Sequence, residues 1–596
     1  MKKILYSILT VFAALAMTGC DDLLDSVPKD RLTKDTFFKS ESELKAFAIV
    51  FYGAFPSEDL YVANDDHYTQ NNLSNEEMGK RTIPASGGGW SWGALRNINT
   101  LLENLDQCPD QAVRTQYEAL ARFFRAYFYY NKVKRFGDVP WYDKTIGSTD
   151  TGELRRPRDN REFIMGKILE DLDFAIAHLP SAKSAYEVTR WTAMALKSQV
   201  CLFEGTFRKY HAGDVFLATL PADAKDYKWY LGECAAVSKE FIQTSGYGLH
   251  PSYWELFHTM NATDLTDEVI LARDYNSTYG VSHNSGSTLT TGSRGCPSVT
   301  KKLIASYLMK DGSRFTDIAG WETMNFVEET RNRDPRLASS IRTPGYKRMG
   351  ETATTSPDFK VTFSGYHPDK YLTTPEQDTN NASDIDLILF RGAEVYLNYA
   401  EALAEAGTLT QEDLDLSINP IRKRAGITKS LSLTEANANP DPFLTDPAWG
   451  GYQSPVLLAD ANKGVILEIR RERAVELCQE GFRYYDLMRW KEGKIFEKPF
   501  YGMYFPAEGT HDVDANGTND LEIFTATSSN TAATAKKLND EIFLSGGGSG
   551  LVWLHKSIVR TWDEDKDYLY PIPTDERNLT GGILTQNPGW DDGLTF

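Results

Sequence analysis

Apolar residues recur at helical spacing through much of this chain. Between Ala119 and Phe136 they occupy every third or fourth position, and the segment from Gly137 to Pro140 then interrupts the pattern. This spacing predicts a helix with a broad buried face that ends at the glycine. The same periodicity predicts five further helices: Phe163 to Leu179, Thr192 to Phe207, Lys228 to Thr244, Glu394 to Ala406 and Val465 to Arg489. The chain is therefore predicted to be mostly α-helical.

Small residues alternate with large ones on several of these helices. Ala400 and Ala404 lie near Tyr396, Tyr399 and Leu403 in the sequence. Small residues facing large ones allow paired helices to approach closely, as in tetratricopeptide hairpins, although a 34-residue repeat is not clean here. We therefore expect a degenerate scaffold of helical hairpins.

Long polar segments rich in Gly, Ser, Thr and Asn separate the predicted helices. Loops longer than about 15 residues are uncommon in folded domains unless they are functional or disordered. There are four such segments: Tyr61 to Trp92, Tyr275 to Pro297, Gly345 to Asp384, and Glu435 to Gln453. They predict that ligand binding takes place on a surface built from loops.

The N-terminus has the features of a secretory signal. Lys2 and Lys3 precede an apolar run from Ile4 to Met17, which is too short to span a bilayer as a helix. Small residues then lead directly into Cys20, as in the site cleaved by the bacterial lipoprotein peptidase. We therefore expect residues 1–19 to be a lipoprotein signal peptide and Cys20 to be lipidated. Two or more acyl chains hold a protein stably at a membrane.

The composition argues against a nucleic-acid partner and against a framework built on cysteines. The 83 acidic residues outnumber the 64 Lys and Arg residues, giving a formal charge of −19. This balance argues against a nucleic-acid partner, since phosphate binding needs a basic surface. The five cysteines after Cys20 are scattered and include no CxxC pair, so neither a disulfide scaffold nor a zinc site is expected. The pairing state of these cysteines stays open at this point.

Several blocks of the sequence, in order, resemble the SusD/RagB family. After the lipidation site come RFFRAYFYY and RFGDVP within 122–140, EVYLNYAEA at 394–402, RRER and EGFRYYDLMRW within 470–490, and YPIP and QNPGW within 570–590. One departure from the family pattern is Pro420, where the family usually continues a helix. Because proline clashes with the preceding turn, we expect a helix start or a kink there.

The resemblance implies a fold and a biological role. The implied fold is mostly α-helical, SusD-like, with tetratricopeptide-like hairpins that support a loop-rich binding face. It divides the mature chain into an N-terminal region, 20–250, and a C-terminal region, 251–596. The implied role is that of a lipid-anchored, surface-exposed protein of the cell outer membrane, which captures glycan and covers a TonB-dependent SusC-like transporter barrel. RagB-type members leave peptide capture as the alternative, and a surface glycoside hydrolase is the alternative from another class. The sequence does not identify the glycan, its linkage or its length.

An enzymatic role is disfavoured by the residues themselves. Glu468, Glu472, Glu476 and Glu480 recur every fourth residue, and glycosidases do use carboxylate pairs. Arginines are interleaved with them, however, and ion pairing lowers the pKa of a carboxyl group instead of raising it as a general acid requires. We therefore predict a structural salt-bridge network, no catalytic residues and no required cofactor.

A short acidic segment resembles a calcium loop. Asp512, Asp514, Asn516 and Asp520 supply oxygen atoms at loop positions 1, 3, 5 and 9, and a glycine follows at position 6. The match is partial, because the glutamate expected at position 12 is replaced by Ile523. Two hypotheses therefore remain, a structural calcium site and an Asx-rich turn that closes on its own backbone.

Aromatic residues in the polar loops are the candidates for contacting a glycan, because rings stack on the flat faces of sugars. The resemblance to the family also implies ligand contacts in loops from these regions. The candidates are Arg81, Trp90, Trp92, Tyr275, Tyr279 and Trp321, which we expect to form one binding face. Arg81, Trp90 and Trp321 are expected to be exposed. For Trp92 the alternative is packing at a helix start, because the pattern of the next helix begins there.

Overall fold

The computed structural model describes residues 37–57 and 65–596. The expected signal peptide and Cys20 lie outside these residues. The α-helices of the N-terminal half, in order, are α1 Glu41–Ala48, α2 Asn75–Met78, α3 Gly93–Asn104, α4 Gln111–Phe136, α5 Thr151–Leu154, α6 Arg161–His178, α7 Arg190–Tyr210, α8 Tyr227–Thr244 and α9 Ser285–Thr290.

The C-terminal half contains shorter helices and most of the strands. Its helices are α10 Lys301–Ser306, α11 Phe326–Glu329, α12 Arg336–Ser340, α13 Gly392–Ala406, α14 Gln411–Leu416, α15 Ile418–Ala425, α16 Leu433–Ala438, α17 Pro455–Leu458, α18 Lys463–Glu476, α19 Arg483–Arg489 and α20 Thr574–Thr580. The strands of the described chain are β1 Tyr68–Thr69, β2 Val269–Arg273, β3 Ser298–Val299, β4 Leu387–Arg391, β5 Phe500–Phe505, β6 Gly509–His511, β7 Leu521–Phe524, β8 Thr534–Lys537 and β9 Gly550–Leu554.

Long helices pack side by side as hairpins and form the scaffold. Helix α4 packs on α6, α7 packs on α6 and α8, and α13 packs on α8 and α18. The bidentate ion pair of Arg125 with Asp171, at 2.7 Å, joins α4 to α6. Gly205 of α7 faces Leu231 of α8, where an added Cβ would lie 2.8 Å from the leucine side chain. The mostly α-helical, hairpin-based fold is therefore confirmed, and at Gly205 the absence of a side chain permits close approach of two helices.

The predicted long helices are present, with one exception. The segment from Val465 to Arg489 is not one helix, because it breaks between α18 and α19. Gln479 and Gly481 have φ values of 58° and 78° there, a left-handed conformation that an α-helix cannot contain. At Pro420 the expected helix start is confirmed, since α15 begins at Ile418 and the proline sits in its first turn.

The strands form small sheets of two or three strands each. Pairs β1–β3, β2–β4 and β5–β9 are antiparallel, and β6, β7 and β8 form a three-stranded sheet in which β7 and β8 run parallel. The main hydrophobic core contains residues from Phe38 to Leu584, so both predicted regions contribute to it.

The five described cysteines are all unpaired. Among the described residues, no helix combines the length and apolar character needed to cross a membrane.

Candidate functional site

Three partly exposed aromatic rings, two of them on the β5–β9 sheet, contact one another in succession. The ring centroids of Trp449 and Tyr501 are 5.6 Å apart, and those of Tyr501 and Trp553 are 6.1 Å apart. All three side chains are neither buried nor fully exposed. The buried ring of Trp321 packs against Trp449, with the two centroids 4.7 Å apart. We call Trp449, Tyr501 and Trp553 the aromatic row.

The loop that carries Trp449 is fixed by its own backbone chemistry. The Asp446 carboxylate accepts a hydrogen bond of 2.8 Å from the amide of Ala448, which starts a short helical turn ending at Trp449. Gly450 follows in the left-handed conformation, with φ of 66°. At Gly451, an added Cβ would lie 2.5 Å from the amide nitrogen of Asp446, so the turn closes only with glycine.

An ion-pair chain anchors this loop to the rest of the protein. The Lys302 ammonium group donates to the Gly450 carbonyl oxygen and to the Asp66 carboxylate. Asp66 in turn accepts two hydrogen bonds from the Arg483 guanidinium, at 2.7 and 2.9 Å. Burial lowers the pKa of Lys302, while the charge of Asp66 opposes that change. The position of Trp449 therefore depends on residues distant in the sequence.

The other two rings form a cross-strand pair. Tyr501 of β5 lies opposite Trp553 of β9, and side chains at opposed positions of paired strands contact each other. The register of the two strands shifts between Tyr501 and Tyr504, as at a β-bulge. Gly502 lies against Ser364, where an added Cβ would be 2.3 Å from the carbonyl oxygen of the serine. Close packing behind β5 thus leaves the Tyr501 ring on the opposite side, partly exposed.

Basic side chains accompany the rings. Lys302 and Lys498 line a small cleft together with Trp449 and Tyr501. At the other end, the Lys556 ammonium group lies 5.4 Å from the centroids of both Phe543 and Trp553. Ring faces can stack on the apolar faces of sugars, and ammonium groups can donate hydrogen bonds to hydroxyl oxygens. The arrangement is suited to binding a polar ligand that has flat apolar faces.

The expected exposure of Trp90 and Arg81 is wrong. Trp90 is 5% exposed and packs against Phe136, at a centroid distance of 4.9 Å. Arg81 is 8% exposed, donates a hydrogen bond of 3.1 Å to the Asp567 carboxylate, and lies 4.4 Å above the Tyr570 ring. Neighbours from distant parts of the chain therefore bury these side chains.

Trp321 and Tyr275 are also buried. Trp321 is 6% exposed, contrary to expectation, because Phe315, Phe443 and Trp449 surround it. Tyr275 is 7% exposed, and its ring centroid is 4.5 Å from that of His283.

The remaining two candidates differ from each other. Trp92 precedes α3 directly and packs against Phe128 and Tyr142, as the helix-start hypothesis for this residue predicted. Tyr279 is 82% exposed, the result expected of a surface contact. The described contacts of these candidates fall into three groups, around Phe136 and Tyr570, around His283, and around Trp449. This grouping does not support the expected single binding face. Ligand contact by any of them stays a prediction.

Sequence reasoning missed the aromatic row, although one signal was available. Trp449 is an aromatic residue followed by two glycines within a polar segment, Glu435 to Gln453, that we expected to be functional. Tyr501 and Trp553 lie in short strands whose pairing no local pattern specifies. Only their pairing brings them beside Trp449.

The regularly spaced glutamates form a buried ion-pair network. Glu472 contacts Arg336 and Arg422 at 2.6 and 2.8 Å, and Glu480 contacts Lys370 and Arg391 at 2.8 Å. Burial alone would raise the pKa of these carboxyl groups, but their cationic partners lower it below the ordinary value. The pKa of Glu476 is lowered in the same way, chiefly by Arg424, Arg391 and Arg336. The predicted structural network is therefore present.

Other buried glutamates have raised pKa values but are engaged with the backbone or with amides. Burial raises the pKa of Glu492 to about 7, and its carboxylate accepts the backbone amides of Gln453 and Ser454. Burial also raises the pKa of Glu394 to about 7, and Gln199 donates to it at 2.8 Å. The contacts of Glu492 hold the segment that follows Trp449, and the contact of Glu394 joins α13 to α7.

The acidic loop brings three carboxylates together. Asp512, Asp514 and Asp520 each place an oxygen within 4.8 Å of the others, close enough to share one cation. Burial and the nearby charges of Asp514 and Asp512 raise the pKa of Asp520. The amide group of Asn516 donates to Asp514 and to Ser356. The donor set fits calcium, although the backbone amide of Asn516 also bonds to Asp512, at 3.1 Å, as in the alternative turn.

Comparisons with known proteins agree with the architecture. A sequence model described as "SusD family" matches residues 263–590, just over half of the chain. A second, described as "Starch-binding associating with outer membrane", matches residues 61–195.

Curated relatives are similar along most of their length. The chain is 24% identical to SusD-like protein P2 of Formosa agariphila, over 99% of this chain and all of that protein. It is 23% identical to a SusD-like protein of Bacteroides ovatus, over 80% of this chain and 81% of that one.

Solved structures have the same fold. A SusD-like carbohydrate binding protein from Bacteroides fragilis is 20% identical, with a TM-score of 0.67 over 91% of this chain and 99% of that one. A SusD homolog from Bacteroides thetaiotaomicron is 19% identical, with a TM-score of 0.55 over 95% of this chain and all of that one.

Proposed function

The chain belongs to the SusD family, and we propose that it captures an oligo- or polysaccharide at the cell surface and delivers it to a TonB-dependent transporter of the outer membrane. The observation that carries this proposal is the aromatic row, which presents three partly exposed rings beside the exposed side chain of Lys556. The family model described as starch-binding, and the carbohydrate-binding title of the Bacteroides fragilis protein, support a saccharide ligand.

The geometry of the row suits an extended saccharide. Neighbouring ring centroids are 5.6 and 6.1 Å apart, and the ring planes are inclined to each other by 67° and 59°. A single sugar ring therefore cannot stack on all three aromatic rings. By analogy with nucleic-acid bases, each sugar ring stacked on an aromatic side chain should add a modest increment of binding free energy, and several adjacent rings should add such increments along a saccharide. The row therefore favours an oligosaccharide over a monosaccharide.

The role is proposed to be non-enzymatic. Glu472, Glu476 and Glu480 have lowered pKa values, so none of these three supplies the protonated acid that glycoside cleavage needs. Glu468 is held in ion pairs with Arg422 and Arg471. A glycan array compared with a peptide library separates saccharide capture from peptide capture. Release of reducing ends from a bound glycan would instead identify a hydrolase and contradict this proposal.

The anchor and the partner are parts of the same proposal. We expect acylation of Cys20 to hold the body on the outer face of the outer membrane, beside a SusC-like barrel. In a Cys20→Ala variant, the protein should leave the membrane fraction. Retention of that variant at the membrane, with unchanged accessibility to external protease, would contradict the proposed anchor. Co-purification of the wild-type protein with the barrel tests the partner.

The acidic loop is proposed to bind one structural calcium ion through Asp512, Asp514, Asn516 and Asp520. The three carboxylates converge within 4.8 Å, and like charges held this close are stabilised by a cation.

A further inference from the structure

The turn that follows β9 places a lysine beside Trp553, the last ring of the aromatic row. The Lys556 ammonium group lies 5.4 Å from the ring centroids of both Trp553 and Phe543, and the lysine side chain is exposed. Phe543 is partly exposed, and its carbonyl oxygen accepts a hydrogen bond of 2.7 Å from the amide of Trp553. The two rings are therefore carried by paired segments, and Lys556 lies close to both of them.

The backbone of this turn is held by His555. This residue has a φ of 56°, a left-handed conformation that is uncommon outside glycine. Its Nε2 atom is 3.1 Å from the Thr69 hydroxyl, and its ring packs against Phe363 at a centroid distance of 5.2 Å. The amide of Ile558 closes the turn by donating to the His555 carbonyl oxygen, at 2.9 Å. Contacts with distant parts of the chain therefore fix the position from which Lys556 extends.

Lys556 has no charged partner among the residues that the structure describes. Within them, its ammonium group forms neither an ion pair nor a hydrogen bond, and its contacts are with the two rings. Lys302, by contrast, is bonded to the Asp66 carboxylate. An ammonium group carries three N–H donors. Because the Lys556 side chain is exposed, a ligand on the row can reach these donors from solvent.

The neighbouring charges leave Lys556 available to an anion. Burial and the charge of Arg560 lower the pKa of His555 to about 4, so its ring is neutral at neutral pH. Three carboxylates lie on the segments that carry Trp449 and Phe543, and none forms an ion pair with Lys556: Asp446, Asp540 and Glu541. The formal charge of −19 repels an anion at long range. At physiological ionic strength the Debye length is about 8 Å, so charges close to the row decide its preference.

We propose that the aromatic row binds an acidic saccharide, with a carboxylate or sulfate group of the ligand paired to Lys556 while its sugar rings stack on the aromatic rings. Hydrogen bonds between an ammonium group and such an oxyanion are charge-assisted. Lysine carries its charge on a flexible four-carbon stem, so the ammonium group can follow the acidic substituent of a sugar beside Trp553. This inference narrows the class of saccharide and rests on the proposed capture function.

A glycan array of matched oligosaccharides tests the preference for acidic ligands. It carries galacturonate, glucuronate and mannuronate oligosaccharides with their methyl esters, sulfated galactans with their desulfated forms, and neutral glucans and mannans. We expect an acidic member to bind more tightly than its own neutral form. Preference for a uronate over its ester identifies a carboxylate ligand, and preference for a sulfated over a desulfated galactan identifies a sulfate. Absence of any such preference would overturn the proposal.

Isothermal titration with the best acidic oligosaccharide and its neutral form then tests the role of Lys556. Lys556→Gln should bind the acidic form roughly two- to fivefold more weakly, as expected for the loss of one solvent-exposed ion pair. It should bind the neutral form as tightly as the wild type does, and Lys556→Arg should keep the preference. Salt at about 1 M shortens the Debye length to about 3 Å, so it should remove the preference of the wild type.

Lys225→Gln is the matched control. Lys225 is also exposed, and its ammonium group also lies 5.4 Å from a tryptophan ring centroid, that of Trp229 on α8. Its affinity for the acidic ligand should equal that of the wild type. Equal binding by Lys556→Gln and the wild type, or an equal loss in Lys225→Gln, would overturn the proposal. Binding of neutral saccharides that is lost in Trp449→Ala would overturn the acidic ligand and leave the proposed capture function intact, whereas no saccharide binding at all would contradict both.

Discussion

Replacing Trp449 by alanine should weaken glycan binding while leaving the protein folded. The ring lies between Trp321 and Tyr501, at centroid distances of 4.7 and 5.6 Å, and one side of it remains exposed. Loss of one stacking ring costs about 1 to 3 kcal/mol of binding free energy, by analogy with aromatic surfaces that bind single-stranded nucleic acids. This corresponds to a loss of affinity of roughly 5- to 150-fold.

The effect on stability can be separated from the effect on binding. Trp449 makes three aromatic pairs, with Trp321, Phe443 and Tyr501. Each is worth about 0.5 to 1.5 kcal/mol, so the variant should lose roughly 1.5 to 4.5 kcal/mol of unfolding free energy. Trp321→Ala, by contrast, should lower the free energy of unfolding more than it weakens glycan binding. Trp321 is 6% exposed, and removal of a buried tryptophan typically costs about 3 to 5 kcal/mol.

Isothermal titration with the best saccharide from a glycan array gives the affinities, and thermal unfolding gives the stabilities. Trp229→Ala is the matched control, because Trp229 is 38% exposed, contacts Tyr230, and lies on α8 away from the row. Its affinity should equal that of the wild type. The reasoning is refuted if Trp449→Ala and Tyr501→Ala both bind as tightly as Trp229→Ala while remaining folded.

Three further predictions concern the scaffold and the acidic loop. Trp90→Ala should lower the free energy of unfolding by about 3 to 5 kcal/mol in denaturant titrations, because the ring is buried, and an unchanged stability would contradict its burial. Calcium should raise the melting temperature and chelator should lower it, since a ligand that binds only the native state stabilises that state. Asp514→Asn should abolish this difference in melting temperature. An equal shift in the variant and the wild type would contradict the calcium site. The lowered pKa values of Glu472, Glu476 and Glu480 stabilise the fold above their ordinary pKa of 4.5, and this stability should be lost as the pH falls below it. Denaturant unfolding at several pH values from 6 to 3 measures that loss. Glu480→Gln should be less stable than the wild type at pH 6 and should lose less stability as the pH falls. An equal dependence of stability on pH in the two proteins would contradict the role of Glu480.

Local patterns were sufficient for the long helices of the scaffold. In helices such as α4 and α7, the spacing of apolar residues involves only positions that are close in the sequence, so the positions of these helices can be predicted from it. The break between α18 and α19 is different. There Glu480 turns to meet Arg391 and Lys370, which lie about a hundred positions earlier, and no local apolar pattern reveals those partners.

The candidate site depends even more on distant contacts. Trp90 follows three glycines, which suggested exposure, yet Phe136 at the end of α4 covers it. The aromatic row joins a loop, β5 and β9, and the register between Tyr501 and Trp553 is set by strand pairing. Burial of an aromatic side chain in a polar loop is decided by whichever element packs over it, and one sequence does not specify that element.

The central claim is that this protein binds a saccharide on the aromatic row. It is tested most directly by a glycan array probed with residues 21–596 of the wild type, of Trp229→Ala, and of the triple variant Trp449→Ala, Tyr501→Ala, Trp553→Ala. The account predicts that the wild type and Trp229→Ala bind the same subset of oligosaccharides and that the folded triple variant binds none of them. Absence of saccharide binding by the wild type, or full binding by the triple variant, would contradict it.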